Sequence, residues 1–221
     1  MRVGFVLFPN LTQLDFTGPL QVLHRMPGAE VVLAAKTLAP IPSDCGLSLV
    51  PTRTFATCEP LDLICVPGGF GIEAAIGDDE TMRFVSEQGA RAKWVTSVCT
   101  GAFVLGAAGL LRGKRATTHW AYHHLLPTVG ATPVKARTVR DGNVFTGGGV
   151  TAGIDFAFTL AAELCGEAAA RTIQLSLEYD PSPPLDGGTP GRAWPETKQT
   201  LDARYVQRLA ATEAAVTRRL R

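Results

Sequence analysis

Short apolar runs alternate along the chain with stretches in which apolar residues recur every three or four positions. Val3 to Phe8, Glu30 to Ala35, Leu61 to Val66 and Trp94 to Val98 are apolar and of strand length. Such near-continuous runs fit strands buried on both faces of a mainly parallel sheet. Between them, Gly18-Pro19 opens a predicted helix through about Met26, with Thr17 as its N-cap. Helices are also predicted over 79–92, from Cys99 to about Leu111, over 119–126, and from Thr151 to Leu164 and Ala168 to Leu177. Val134 to Val139 and Val144 to Thr146 flank Asp141-Gly142, a hairpin turn signal. Residues 38–60, rich in Pro, Ser and Thr, read as a small β excursion. Strand–helix alternation predicts an α/β fold, a mainly parallel sheet sandwiched by helices, with its site at the carboxyl ends of the strands.

The last 40 residues break the pattern. Asp180 to Trp194 carries Pro181, Pro183, Pro184 and Pro190 with Gly187, Gly188 and Gly191, which reads as a loop. Leu201, Tyr205, Leu209, Val216 and Leu220 then share one helical face, and Arg204, Arg208, Arg218, Arg219 and Arg221 make the helix basic. Charged outer faces are usual on docked helices. The expectation is an α/β domain over 1–180 and, over 181–221, a loop and helix docked on the domain or on a dimer partner.

Composition narrows the function classes. Hydrophobic residues make up 46% and charged residues 19% of the 221, enough apolar side chains for a sizeable core. Twenty-one basic against twenty acidic side chains leave a net charge of +1, which disfavours a dedicated nucleic-acid binder or a polybasic membrane anchor. The longest apolar run, Gly101 to Leu111, is far short of the roughly 20 residues that span a bilayer. No secretory h-region with a cleavage site is visible. Five cysteines without a C-x-x-C support neither a disulfide framework nor a structural zinc site. A soluble protein of a reducing, cytoplasmic compartment is expected.

Candidate chemistry collects at predicted strand ends. Ser97-Val98-Cys99-Thr100-Gly101 sits where a strand turns straight into a helix, with small residues two before and two after the cysteine. A sharp nucleophile elbow needs that spacing, and a helix N-terminus favours a thiolate. The plain alternative is a packed core cysteine. A proton partner is supplied by either of two residues on this reading: Asp15, just past the first strand, or His119, after Ala116-Thr117-Thr118. Asp15 also reads as a turn carboxylate. His119 and His123 are four apart, yet no third metal ligand accompanies them, so no metal is expected. Pro67-Gly68-Gly69-Phe70-Gly71 and Gly147-Gly148-Gly149 are glycine-rich strand ends that let backbone approach a small ligand. Neither matches a phosphate-binding motif.

Taken together these residues resemble the PfpI/ThiJ superfamily, with its class I glutamine-amidotransferase-like fold. The carriers are Leu14-Asp15-Phe16-Thr17-Gly18-Pro19, Pro67-Gly68-Gly69, the Cys99 elbow and Thr117-Thr118-His119-Trp120. A longer set is similar to the isocyanide hydratases within it: Thr96 to Gly101, Ala116 to Tyr122, Thr146 to Phe156, and Leu177 to Pro184. The resemblance implies a flavodoxin-like, homodimeric enzyme with no metal and no organic cofactor. It would hydrate a small apolar isocyanide to an N-substituted formamide through a Cys99 thioimidate. It makes Cys99 the nucleophile, Asp15 its acid/base partner and Thr100 a holder of the site through its hydroxyl and amide. Amides near Gly69 and Phe70 would form an anion pocket, and Gly148 and Val150 would line the cysteine's surroundings. His119 falls back to a supporting place. Phe70 departs from the pattern, since a smaller residue such as threonine is expected there, and so bears on pocket size. The alternatives are another cysteine enzyme of the superfamily, an amidase or glyoxalase-like hydratase, or a ligand or redox sensor. AraC-type regulators carry a similar sensor domain but append a helix-turn-helix module that is not visible here.

Overall fold

The computed structural model describes residues 1–221. In chain order its elements are β1 (Arg2–Val6), α1 (Gln13–Leu23), β2 (Glu30–Ala35), β3 (Ile41–Pro42), β4 (Ser48–Leu49), β5 (Arg53–Thr54), β6 (Leu63–Val66), α2 (Ile72–Gly77), α3 (Asp79–Arg91), β7 (Trp94–Val98) and α4 (Gly101–Ala107). They continue through β8 (Arg115–Ala116), a 3-10 helix at Trp120–Val129, β9 (Thr132–Pro133), β10 (Thr138–Asp141), β11 (Val144–Gly147), α5 (Ala152–Cys165), α6 (Glu167–Ser176) and α7 (Pro195–Leu220). Seven strands form one sheet in the order β10-β11-β7-β6-β1-β2-β5. All pairs are parallel except the β10–β11 hairpin, whose two turn residues are Gly142-Asn143, one later than the expected Asp141-Gly142, because Asp141 still pairs with Val144. This is the flavodoxin-like α/β arrangement.

The central strands β1, β6 and β7 are apolar because helices cover both faces. Every residue of β6 and β7 is buried. Phe5, Ile64, Phe103, Phe145 and Phe156 belong to one continuous cluster of buried side chains, so the chain has one core. From β1 the chain steps outward to β2 on one side. After β6 it steps to β7 on the other. The strand order therefore reverses at β1 and β6, and in open sheets that crevice is where ligands sit. The loops that rim it carry Asp15, Gly68 and Gly69, and Cys99 ends the next strand over.

Several boundaries differ from the sequence pattern, each for a tertiary reason. The first helix starts at Gln13, not at Gly18, and contains Pro19. Its N-terminus is held by a remote residue: Asp44 accepts hydrogen bonds from the Gln13 amide (3.2 Å) and the Thr12 hydroxyl (2.8 Å). Thr17 caps nothing, and its hydroxyl donates back to Gln13. The helix after Cys99 ends at Ala107, because Gly109, with φ +79°, takes the chain out of it. Residues 134–137 stay outside the hairpin, and 120–129 is 3-10 rather than α-helical with Pro127 inside it. The short helix α2, directly after Gly71, has no clear sequence signal.

Helix α7 lies on the body of its own chain. The Thr212 hydroxyl donates to Glu73 Oε1 at 2.7 Å, Arg219 pairs with Asp79, and Thr212 and Val216 are fully buried. They are the only buried residues beyond Asp180, so this segment adds a strut and not a second core. No helix is long and apolar enough to cross a membrane.

A tight packing constraint next to the site lies at Gly101, the first residue of α4. A Cβ there would stand 2.1 Å from the Val66 carbonyl oxygen and 2.7 Å from that of Pro67. Backbone atoms of a central strand cannot retreat as a side chain can. Gly101→Ala is expected to cost about 3 kcal/mol, the upper range for overpacking, read as a lowered urea midpoint with an unchanged slope. An unchanged midpoint would show that β6 yields there.

Candidate active site

Cys99 is the hinge between β7 and α4. Its φ is +55°, a left-handed conformation that costs a non-glycine residue roughly 1–2 kcal/mol. The surroundings hold it there. Its amide donates to the carbonyls of Gly147 (3.1 Å) and Gly148 (2.9 Å), and its own carbonyl accepts from the Thr118 hydroxyl at 2.7 Å. The small residues of the elbow have separate reasons. Gly101 clears the backbone of β6, and Ser97 is fully buried inside the sheet.

The structure brings Asp15 to this cysteine. Asp15 sits in the first turn of α1, has no exposed surface, and accepts the Gly68 amide on Oδ2 at 3.0 Å. Its Oδ1 has no hydrogen-bond partner. The carboxyl lies against the Cys99 thiol closely enough that each perturbs the other's ionisation. Gly68 is needed between them, because a Cβ there would be 2.5 Å from the Thr100 amide nitrogen and 2.8 Å from Asp15 Oδ2.

Burial dominates the electrostatics of the pair. Desolvation raises the Asp15 pKa from its ordinary 3.8 to about 7, against the opposing hydrogen bonds from Cys99 and Gly68; the charge of Asp44 adds to the rise. Desolvation, then the Asp15 carboxylate, pushes the Cys99 thiol well above its ordinary 9, and the amides of Val150 and Thr100, which point at the sulfur, only partly offset this. Burial thus opposes the resting thiolate that the helix N-terminus favours. Cys65, fully buried, is pushed to about 12 by the same effect.

The other candidate residues fall into place around this pair. Thr100 supplies its amide to the sulfur, and its hydroxyl accepts the Gly69 amide at 3.0 Å. That bond uses the Gly69 amide, so Gly69 has no free N–H to offer an anion, and an anion pocket built on it is corrected. Gly148 contributes its carbonyl to the Cys99 amide and does not face the cavity above the sulfur. That cavity, about 190 Å³, is lined by Gly69, Phe70, Cys99, Thr100, His119 and Val150, as the sequence suggests, and by Thr12, Asp44, Tyr122 and Tyr205. His119 packs in an aromatic cluster with Trp120, Tyr122 and Tyr205, and its Nδ1 accepts the Ala121 amide at 3.3 Å. Burial lowers its pKa to about 4, which leaves a neutral imidazole at pH 7. No group of three His, Cys, Asp or Glu side chains is placed to hold a metal ion.

Sequence reading missed four lining residues. Thr12 and Asp44 belong to no motif and reach the site only through the α1 cap. Tyr122 follows the visible His119-Trp120 pair. Tyr205 is apparent only as part of the apolar face of the last helix.

Known proteins are similar to this chain. The chain is 60% identical over 193 residues to the isonitrile hydratase of Pseudomonas putida, covering 87% of this chain and 85% of that one. A solved THiJ/PfpI family protein from Pseudomonas syringae superposes with a TM-score of 0.95 at 41% identity, covering 97% of this chain and 90% of the other. At 28% identity over 189 residues the chain also matches the HTH-type transcriptional regulator GbdR of Pseudomonas aeruginosa, covering 80% of this chain and 50% of the regulator. The DJ-1/PfpI family model matches residues 1–163, from the first strand through the elbow to the helix behind Val150. The chain belongs to the DJ-1/PfpI family.

Proposed function

We propose that this protein is an isocyanide hydratase, with Cys99 as nucleophile and Asp15 as the proton carrier. The observation that carries the reading is a fully buried carboxyl held against a cysteine in a strained elbow, at the floor of a small cavity. The identity to a known isonitrile hydratase over most of both chains supports the same substrate class. The proposal extends to what the family resemblance of the sequence implies: a homodimeric, cytoplasmic enzyme that uses neither a metal nor an organic cofactor, in which residues 181–221 complete the domain formed by 1–180.

An isocyanide, R–N≡C, is uncharged and has no hydrogen-bond donor, so it enters a dry cavity where a charged nucleophile is costly. The arrangement answers that cost by ionising sulfur only as it attacks. Asp15, ionised, accepts the thiol proton while the S–C bond forms at the terminal carbon. It then returns that proton to the same carbon, leaving the thioimidate R–N=CH–S on Cys99. Asp15 next takes a proton from water as the water oxygen bonds to that carbon, and passes it to nitrogen. Collapse of the tetrahedral adduct breaks the C–S bond, and the hydroxyl proton returns through Asp15 to sulfur. One isocyanide and one water leave as R–NH–CHO. The Val150 and Thr100 amides steady the sulfur whenever it carries charge.

Formamide production from phenyl isocyanide is the direct test. Cys99→Ala is expected to abolish it, and Asp15→Asn to reduce it by about 10²–10⁴, the usual weight of general acid–base catalysis. Full activity in either variant would overturn the assigned role. In the wild type, kcat/KM is expected to rise as pH passes through about 7, where Asp15 loses its proton, and to hold level until the thiol titrates. A profile flat from pH 5 to 9 would remove Asp15 as the base.

The same titration affects stability. The folded chain keeps the Asp15 proton up to about pH 7, whereas the unfolded chain loses it near 3.8. Between those values the folded state binds more protons, so raising the pH through this window costs stability, roughly 4 kcal/mol by pH 8. Asp15→Asn is neutral throughout. It is expected to unfold at higher urea than wild type at pH 8, with the advantage fading as pH falls toward 4. A difference independent of pH would show that Asp15 is not held in this way.

A further inference from the structure

The cavity above Cys99 is closed in part by an element with no other evident task. Helix α7 turns one face toward the body, and on that face Tyr205, Arg208 and Thr212 follow one another about a turn apart. Tyr205 lines the cavity. Thr212 is buried and anchored on Glu73. Between them, the Arg208 guanidinium carbon lies 3.6 Å from the centre of the Phe70 ring, and Phe70 lines the cavity. Phe70 itself is 45% exposed, so without Arg208 its ring would be free to swing outward. Its backbone cannot follow. The preceding Gly69 packs so tightly that a Cβ there would be 2.3 Å from the Thr12 amide nitrogen.

We propose that α7 selects substrate by size: Arg208 clamps Phe70 over the mouth of the Cys99 cavity, so the site takes compact isocyanides and excludes bulky ones. A guanidinium stacked on an aromatic face is held both by the ring's negative face and by the planar fit. About 190 Å³ is small beside the 300–1,000 Å³ of common ligand pockets. On the Phe70 side, widening the mouth has to move that ring, and Arg208 opposes the movement; elsewhere the cavity shares His119, Val150 and Tyr205 with a larger groove of about 1030 Å³. The selected class, compact alkyl or single-ring isocyanides, rests on the hydratase reading. The steric claim rests on the geometry alone.

The test compares the full-length wild type with Phe70→Ala and with Arg208→Met, which keeps the stem and removes the cation. Two ratios are read. One is kcat/KM for 1-adamantyl over isopropyl isocyanide. The other is the rate of Cys99 labelling by benzyl over methyl methanethiosulfonate, followed by mass spectrometry on the Cys99 peptide. Both ratios are expected to rise roughly tenfold or more in Phe70→Ala, the scale on which a pocket discriminates bulk, and by a smaller factor in Arg208→Met. Ratios within about twofold of wild type in Phe70→Ala would overturn the proposal. A rise in that variant with none in Arg208→Met would overturn the clamp and with it the part given to α7. If wild type hydrates no isocyanide, the hydratase reading fails, and the labelling ratio still decides the size gate. Phe70→Leu, a smaller step, replaces Phe70→Ala if the latter does not fold.

Discussion

A carboxyl with no access to water is the constraint on which the site depends. Asp15 loses hydration by being folded under the β1–α1 loop, and one of its oxygens gains no partner in return. Such a group is destabilising wherever it is not used. Here it is held in place by the Gly68 amide and by the start of α1, which depends in turn on Asp44. The loop after β1, the turn after β6 and the excursion around Asp44 are thus tied to one buried group. Its raised pKa is the chemical consequence, since an acid that titrates near neutrality can both take and return a proton.

The cysteine carries the second cost, a left-handed backbone at a side chain that prefers otherwise. Strain of this kind persists only where the neighbours over-determine it. The carbonyls of Gly147 and Gly148, at and just past the end of β11, bind the Cys99 amide, and Thr118 binds its carbonyl, so two separate segments oppose relaxation. The result is a sulfur aimed into the cavity, against Asp15 and under the Val150 and Thr100 amides. Burial opposes charge on that sulfur, against what its place at a helix N-terminus suggests. Desolvation outweighs the partial charge of a helix end, because the dipole effect is typically below 1 kcal/mol while full burial moves a thiol far more.

Part of the cavity wall, Tyr205 of the aromatic cluster, comes from a long helix that buries little of itself. Many of its attachments are polar: a hydroxyl on Glu73, an arginine on Asp79 and a guanidinium on Phe70. Val216 alone enters the core from this helix, with Tyr205, Leu209 and Ala215 packed against it. The catalytic pair therefore depends on the sheet, whereas the shape of the mouth depends on α7, so either can change with little disturbance of the other.

Much of this was legible in the chain. Continuous apolar runs gave away the buried parallel strands, and Trp94–Val98 is a strand with the limits its residues suggest, since a run buried on both faces leaves no other reading. The spacing of Ser97, Cys99 and Gly101 announced the elbow because a strand-to-helix reversal excludes larger residues. By residue pattern alone Asp15 and His119 stand equal as partners, and only the family resemblance favours Asp15. Only the tertiary structure placed Asp15 against the sulfur and set His119, neutral, among aromatic rings, because proximity across 84 residues is decided by sheet order and not by local pattern. The true start of α1 was hidden for the same reason, its cap being Asp44. So was the occupied Gly69 amide, since a hydrogen bond to Thr100 exists only once β6 and β7 lie side by side. Residue type determined which groups were capable of the chemistry, and packing determined which were desolvated together.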